Sequence, residues 1–201
     1  MKLIGLTGTT GSGKGFVSRQ FAEYGIPSVD TDGLVHRLYR ENAACIGELT
    51  QAFGDVLAED GSIDRKKLAP IVFADPVSLA RLNSIVHKYV HAEVERIAAE
   101  YEAQGVDCLL IDAPQLYEAG MDSICSAVIA VVAPASLRIA RICARDGITE
   151  QGARARIANQ HPDFFFRERA DFVIENDGVQ SLAEQIDSII GVLGYGKRQT
   201  N

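Results

Sequence analysis

A short apolar run from Lys2 to Thr7 leads into glycine, and from Phe16 to Tyr24 the residues Phe16, Val17, Arg19, Gln20 and Phe21 recur at helical spacing. The pattern predicts strand, loop, helix. Gly25 stops that helix, and Ile26-Pro27-Ser28-Val29-Asp30 reads as a second short strand, so the natural product is a parallel βαβ unit. The mixed pattern from Asp32 to Phe53 predicts helices, and Gly54 to Asp64, rich in Gly and Asp, predicts a turn with a short hairpin. Arg65 to Glu102 is helical almost throughout, with Pro76 opening a new helix behind a capping Asp75. Two uniformly apolar runs, Cys108 to Asp112 and Ala127 to Val132, suit strands covered on both faces, and Phe172-Val173-Ile174 reads as one more. Helical segments fill Ala135 to Phe166, and Ser181 to Leu193 is an amphipathic closing helix. Strands alternating with helices predict an α/β fold with a doubly wound parallel sheet.

Composition narrows the classes of function. A chain of 201 residues with 47% hydrophobic content can bury the core of one ordinary α/β domain, so one folding unit across 1–201 is expected. The longest apolar stretch, Ala127 to Ala133, is far too short to cross a bilayer, and no leader or membrane anchor is expected. The 4 cysteines, Cys45, Cys108, Cys125 and Cys143, share no metal-like spacing and read as buried thiols of a cytoplasmic protein. A formal charge of −7 and a pI near 5.1 argue against nucleic acid as a partner. An anionic ligand must then be held by local donors.

Those donors are supplied by Gly8-Thr9-Thr10-Gly11-Ser12-Gly13-Lys14, which has the phosphate-loop pattern of glycine, four residues, glycine and lysine. A strand feeds it and a helix leaves it, so backbone amides can converge on phosphate oxygens with the helix N-terminus adding favourable partial charge. Lys14 would reach the outer phosphates. The ATP-binding stretch is thus expected over Gly8 to Phe16. The pattern departs in one place: Gly15, followed by Phe16, stands where a Ser or Thr hydroxyl ordinarily ligates Mg²⁺.

Carboxylates and arginines complete the candidate chemistry. Asp30 and Asp32 follow the second strand, and their i, i+2 spacing puts both on one side if the extended conformation continues. One would accept the proton of an attacking hydroxyl while the other orients it, although either could instead cap a helix beginning near Gly33. Asp112 closes an apolar strand, where phosphate-loop proteins keep the acid that positions magnesium through water, or it is a turn residue before Pro114. Arg138, Arg141 and Arg145 recur at helical spacing, able to face a cleft or to display solvated charge, and Asp146-Gly147 ends their helix just beyond Arg145. His87 lies on a long helix, as readily a packed or surface residue as a ligand.

From Leu3 to about Gly178 the chain resembles the dephospho-coenzyme A kinase family. The blocks that carry the resemblance are Gly5-Leu6-Thr7-Gly8 with its loop, Ile26 to Asp32, Asp60 to Arg65 with Leu68, Ile71 to Pro76, and Leu82-Asn83 with His87. They continue through Asp112-Ala113-Pro114 with Glu118-Ala119-Gly120, Arg141 with Arg145-Asp146, Arg156-Ile157 with Gln160, and Ala170 to Gly178. The resemblance implies a phosphate-loop NTPase fold and transfer of phosphate from ATP, with Mg²⁺, to the 3′-hydroxyl of dephospho-coenzyme A, the last step of coenzyme A synthesis. In it Lys14 and the loop amides hold ATP, Asp32 is the base, and Arg141 and Arg145 are lid arginines. Thr7, Asp30, Asp32, His87 and Asp112 are the substrate-side candidates. A helical substrate subdomain is expected over about 60–100 and a helical lid over about 138–168. Three positions depart from the family pattern: Gly15-Phe16 for Ser-Thr, Lys88 for the proline usual after His87, and Gln115 for a common leucine. A nucleoside or nucleotide kinase of the same core, or a weakly active ATP- or coenzyme A-binding module, are the competing readings.

Overall fold

The computed structural model describes residues 1–195, so the last residues of the expected single unit lie outside the described residues. Two compact units divide the chain: Met1–Val29 together with the chain from Tyr101 onward, and Asp30–Glu100.

The first unit is built on a five-stranded sheet. In chain order its elements are β1 (Lys2–Gly8), α1 (Lys14–Glu23) and β2 (Ser28–Asp30), then, after the second unit, β3 (Cys108–Asp112) and β4 (Ala127–Val132). The strand order is β2-β3-β1-β4-β5, where β5 is Phe172–Glu175. β1 runs parallel to both β3 and β4, and β4 parallel to β5. β2 and β3 lie on one side of β1 and β4 and β5 on the other, so the strand order reverses beside β1, the switch point at which a crevice opens at the carboxyl ends. The doubly wound parallel sheet read from the alternation is present.

Period-two alternation assigns the core. Ile4, Leu6, Cys108, Leu110, Ile129, Val131 and Ile174 share one face, packed with Val17 and Phe21 of α1 and the isoleucines at 186, 189 and 190. Leu109, Ile111, Val128, Ala130 and Val132 alternate with them and are equally buried. The uniformly apolar runs therefore arise because both faces are covered. Cys45 and Cys108 are buried, as expected of these thiols, and burial raises both to about 11. Cys125 and Cys143 differ from that expectation in being only partly covered.

In the second unit the helices are α2 (Thr31–Glu41), α3 (Ala43–Phe53), α4 (Arg65–Phe73) and α5 (Pro76–Ala103), the last running on into the first unit. Each start has a local reason. Asn42 caps α3 at the Cys45 amide, Asp64 caps α4 at the Lys66 amide, and Asp75 receives the amides of Val77 and Ser78 ahead of Pro76. The expected hairpin shrinks to one antiparallel bridge, Leu57 with Ile63, whose return is secured by Ile63 N donating to Tyr39 O at 2.9 Å.

The first unit closes with α6 (Ala135–Asp146), α7 (Glu150–Ala158), α8 (Asp163–Arg169) and α9 (Leu182–Leu193). No helix among the described residues is long and apolar enough to cross a membrane.

Candidate active site

The loop between β1 and α1 takes its shape from glycines that no other residue could replace. Gly8 has φ 141°, and a Cβ there would lie 2.2 Å from Val131 O on the neighbouring strand. Gly13 has φ 92°, and its Cβ would meet Asn176 Nδ2 at 2.2 Å. Both have positive-φ backbone that favours glycine; at Gly8 the strand's backbone excludes even a methyl group, whereas at Gly13 a methyl group would have to displace the Asn176 carboxamide. The helix that leaves the loop has no side chain capping its N-terminus and no acidic residue in its first turn. Its amide end and positive dipole therefore remain for an anion.

Lys14, the first residue of α1, forms an ion pair with Asp112, and the two side chains are 16% and 11% exposed. Parallel registry explains the meeting, because Leu6 of β1 pairs with Asp112 of β3, so the carboxylate stands at the strand end beside the loop. Thr7, buried on β1, donates through Oγ1 to Pro114 O at 3.4 Å and so ties the loop's entry to the segment after β3.

The arginines of α6 divide into two groups. Arg138 Nε donates to Thr10 O at 3.0 Å and its Nη1 to Asp163 Oδ1 at 2.8 Å. Arg141 Nη1 donates to Gly11 O and Ser12 O at 3.3 and 3.2 Å. Arg145, one turn on, is held bidentately by Asp146 at 2.7 and 2.9 Å, and Arg156 pairs with the same carboxylate. The Arg145 hydrogen bonds, with Arg156 assisting, hold the Asp146 carboxyl down at about 2. Arg141 is thus at the loop, whereas Arg145 is engaged at the far end of its helix.

On the second unit, Asp30 is the N-cap of α2 and its Oδ1 accepts from Asp32 N at 3.1 Å. The expected extension past Asp30 does not occur. The helix starts at Thr31, so Asp32 lies in its first turn and the i, i+2 argument for two carboxylates on one side of a strand fails. The capping alternative is the correct one for Asp30, and Asp32 is exposed. His87 is half-buried on α5. Its neighbour Lys88 pairs with Glu48 of α3, which also accepts from the Tyr89 hydroxyl at 2.8 Å. That contact gives the lysine a local role where a proline could offer none. Gln115 is exposed and leaves the buried position to Leu116, so the loss of leucine at 115 uncovers no core.

Gly15 is in the first turn of α1 with open space around it: a Cβ would meet only Arg19 Nη1, at 4.0 Å. Phe16 beside it is 46% exposed, with the Arg19 guanidinium 5.8 Å from its ring centroid. No cluster of three or more His, Cys, Asp or Glu side chains suited to a metal occurs among the described residues. Mg²⁺ does not need one, since it is ordinarily held by one or two carboxylates with substrate phosphates and its own waters. Asp112 at the loop meets that minimal requirement.

A family model for dephospho-CoA kinase matches residues 2–181. The chain belongs to the dephospho-CoA kinase family. Its members phosphorylate dephospho-CoA with ATP in coenzyme A biosynthesis. Among relatives of this family, the dephospho-CoA kinase of Mesorhizobium japonicum is 38% identical over 194 residues, spanning 96% of this chain and 97% of that one. A crystal structure of TT1252 from Thermus thermophilus superposes with a TM-score of 0.78 at 33% identity, covering 96% of each chain. Dephospho-CoA kinase from Campylobacter jejuni, 24% identical, shares the fold with a TM-score of 0.68 over 96% of this chain and 98% of that one. The phosphate-loop NTPase fold expected from the resemblance is therefore the fold of this family member.

Two loop partners received no role from sequence reasoning. Asn176, just beyond β5, donates through Nδ2 to Ser12 O at 2.7 Å, and Gln160 Oε1 accepts from Thr10 N at 2.8 Å. Asn176 was findable in principle, because strand carboxyl ends in a parallel sheet converge on the ligand crevice. Gln160 carries no comparable local signal.

Proposed function

We propose that this chain transfers the terminal phosphoryl group of ATP to the 3′-hydroxyl of dephospho-coenzyme A, producing ADP and coenzyme A. The observation that carries the reading is the phosphate loop leading into the uncapped N-terminus of α1, with Lys14 against Asp112, in a chain whose match to the family runs from residue 2 to 181. The loop from Gly8 to Phe16 binds the ATP phosphates through the amides left after Thr10 N is taken by Gln160, Ser12 N by Thr9 O and Phe16 N by Gly13 O, and Lys14 neutralises charge on the outer ones. Arg141 and Arg145 offset charge on the transferring group, Arg145 after exchanging Asp146 for phosphate. The acceptor's hydroxyl oxygen attacks the γ-phosphorus, the bond to the bridging oxygen of ADP breaks, and Asp32 takes the hydroxyl proton. Thr7, Asp30 and His87 are proposed as acceptor-side residues. Mg²⁺ would be held by Asp112 through water and would supply charge neutralisation at the phosphates. Residues of about 60–100 serve as the substrate-side subdomain and residues of about 138–168, from Arg138 into α8, as the lid. Free thiols and a net charge of −7 support a cytoplasmic protein acting on small molecules rather than nucleic acid.

The test is ADP release measured with ATP and Mg²⁺, with and without dephospho-coenzyme A, with the product weighed. Acceptor-dependent ADP and a mass gain of one phosphate are expected. Turnover of a nucleoside with none of dephospho-coenzyme A would instead establish a different kinase of the same core.

Gly15 favours a second reading, a weakly active ATP- or coenzyme A-binding module, because the hydroxyl that ordinarily holds the metal is absent. The space around Gly15 makes the contrast measurable. Gly15→Ser is expected to lower the Mg²⁺ concentration at half-maximal ATP binding by about tenfold, read by calorimetric titration at fixed nucleotide. A rise in turnover of several orders of magnitude in the same variant would make the natural chain a degenerate kinase.

A further inference from the structure

A loop that turns its N–H groups inward to a phosphate must turn the matching carbonyls outward, where burial without a donor is costly. Three successive carbonyls are each met by a side chain from a distant part of the first unit; the amides of Gly11 and Gly13 match Thr10 O and Ser12 O, while the Ser12 amide that matches Gly11 O is spent on Thr9 O. Thr10 O receives Arg138 Nε at 3.0 Å, Gly11 O receives Arg141 Nη1 at 3.3 Å, and Ser12 O receives Asn176 Nδ2 at 2.7 Å. Arg141 Nη2 also donates to Asn176 O and Oδ1, at 3.2 and 3.3 Å, which fixes the carboxamide so that its Nδ2 faces the loop. Asn176 is in turn anchored by its own amide donating to Val132 O at 2.8 Å.

The burial of the donors is hard to explain by stability alone. Arg138 is 4% exposed and Asn176 8%. Burying a guanidinium against one carboxylate costs about as much as it returns, and an apolar side chain of similar volume would serve the core as well. Arg138 nonetheless keeps one nitrogen, Nη2, buried with no partner among the described residues, while Nε stays on Thr10 O. Burial also pulls its pKa down, against the opposing influence of Asp163. The arrangement serves the loop's backbone.

We propose that Arg138 and Asn176 are positioning residues of the nucleotide site: they hold the Thr10 and Ser12 carbonyls outward so that the loop's amides face the phosphates, and they do not themselves touch ATP. The proposal rests on the loop being the triphosphate site and is independent of which acceptor is phosphorylated.

The experiment uses the full chain and two variants, Arg138→Met, which removes the side-chain donor to Thr10 O, and Asn176→Ala, which removes the shorter of the two donors to Ser12 O and leaves Arg141 Nη1 at 3.2 Å. Calorimetry is run with ATP and, separately, with inorganic tripolyphosphate, which reports on the loop without any base or sugar. Both ligands are expected to bind about tenfold more weakly. KM for ATP is expected to rise by the same factor, while kcat at saturating ATP and KM for the acceptor stay near the wild-type values. Weaker ATP binding with unchanged tripolyphosphate binding would place Asn176 or Arg138 on the nucleoside and overturn the proposal, as would unchanged binding of both. Loss of the cooperative melting transition in both variants would make the residues structural and overturn it too. Failure of the wild-type protein to turn over dephospho-coenzyme A, with tripolyphosphate binding intact, would count against the acceptor assignment alone.

Discussion

Asp32→Asn is expected to lower the turnover number by about 10²–10⁴-fold, the range that general base catalysis supplies, while leaving ATP affinity unchanged. The substitution is well suited to isolating chemistry from folding. The α2 cap is made by the Asp30 side chain to the Asp32 backbone amide, and that amide survives the change. Asparagine is isosteric with aspartate but is neutral and cannot take a proton. ADP release under saturating substrates, set beside calorimetric ATP binding, reads the two effects separately. A parallel fall in both would remove Asp32 from the role of base and leave it as a residue that shapes the site.

Lys14→Met should behave differently, weakening ATP binding by about tenfold or more and turnover by about 10²–10³-fold. The lysine stands beside a largely buried carboxylate at the first residue of α1, so its ammonium group is the fixed positive charge at the loop's exit. Methionine keeps the length of the stem and deletes the charge. Unchanged ATP affinity in this variant would contradict the placement of Lys14 on the outer phosphates, and the same titrations used for Asp32→Asn decide it.

The contrast between what could and could not be read along the chain is physical. Strand, loop and helix at the N-terminus were legible because glycine spacing and apolar runs act over a few residues, and the strands at 108–112 and 127–132 emerged with the bounds expected of them. The start of α2, expected near Gly33, falls at Thr31 because the Asp30 side chain caps the helix at the Asp32 amide directly after β2 ends, a choice between strand and cap that the residues alone leave undecided. Lys88 looked like a departure from family pattern with no compensation, and its partner Glu48 lies 40 positions earlier on another helix. The loop's outer supports were least visible of all. Asn176 sits inside a recognised block, Gln160 likewise, yet nothing in either block says that a carboxamide there meets Ser12 or Thr10. Such pairings are set by sheet order, and sheet order is a global property.

The bond from Asn176 to Ser12 joins residues 164 positions apart, and it has a consequence for the life of the chain on the ribosome. The phosphate-loop sequence is translated well before the residues that support it, and its outer carbonyls have no donors until α6 and the stretch after β5 have followed. At about 5–20 residues per second, that is a wait of many seconds. During that interval the nascent chain carries the motif without its scaffold, so competence to capture nucleotide arrives late and nearly all at once.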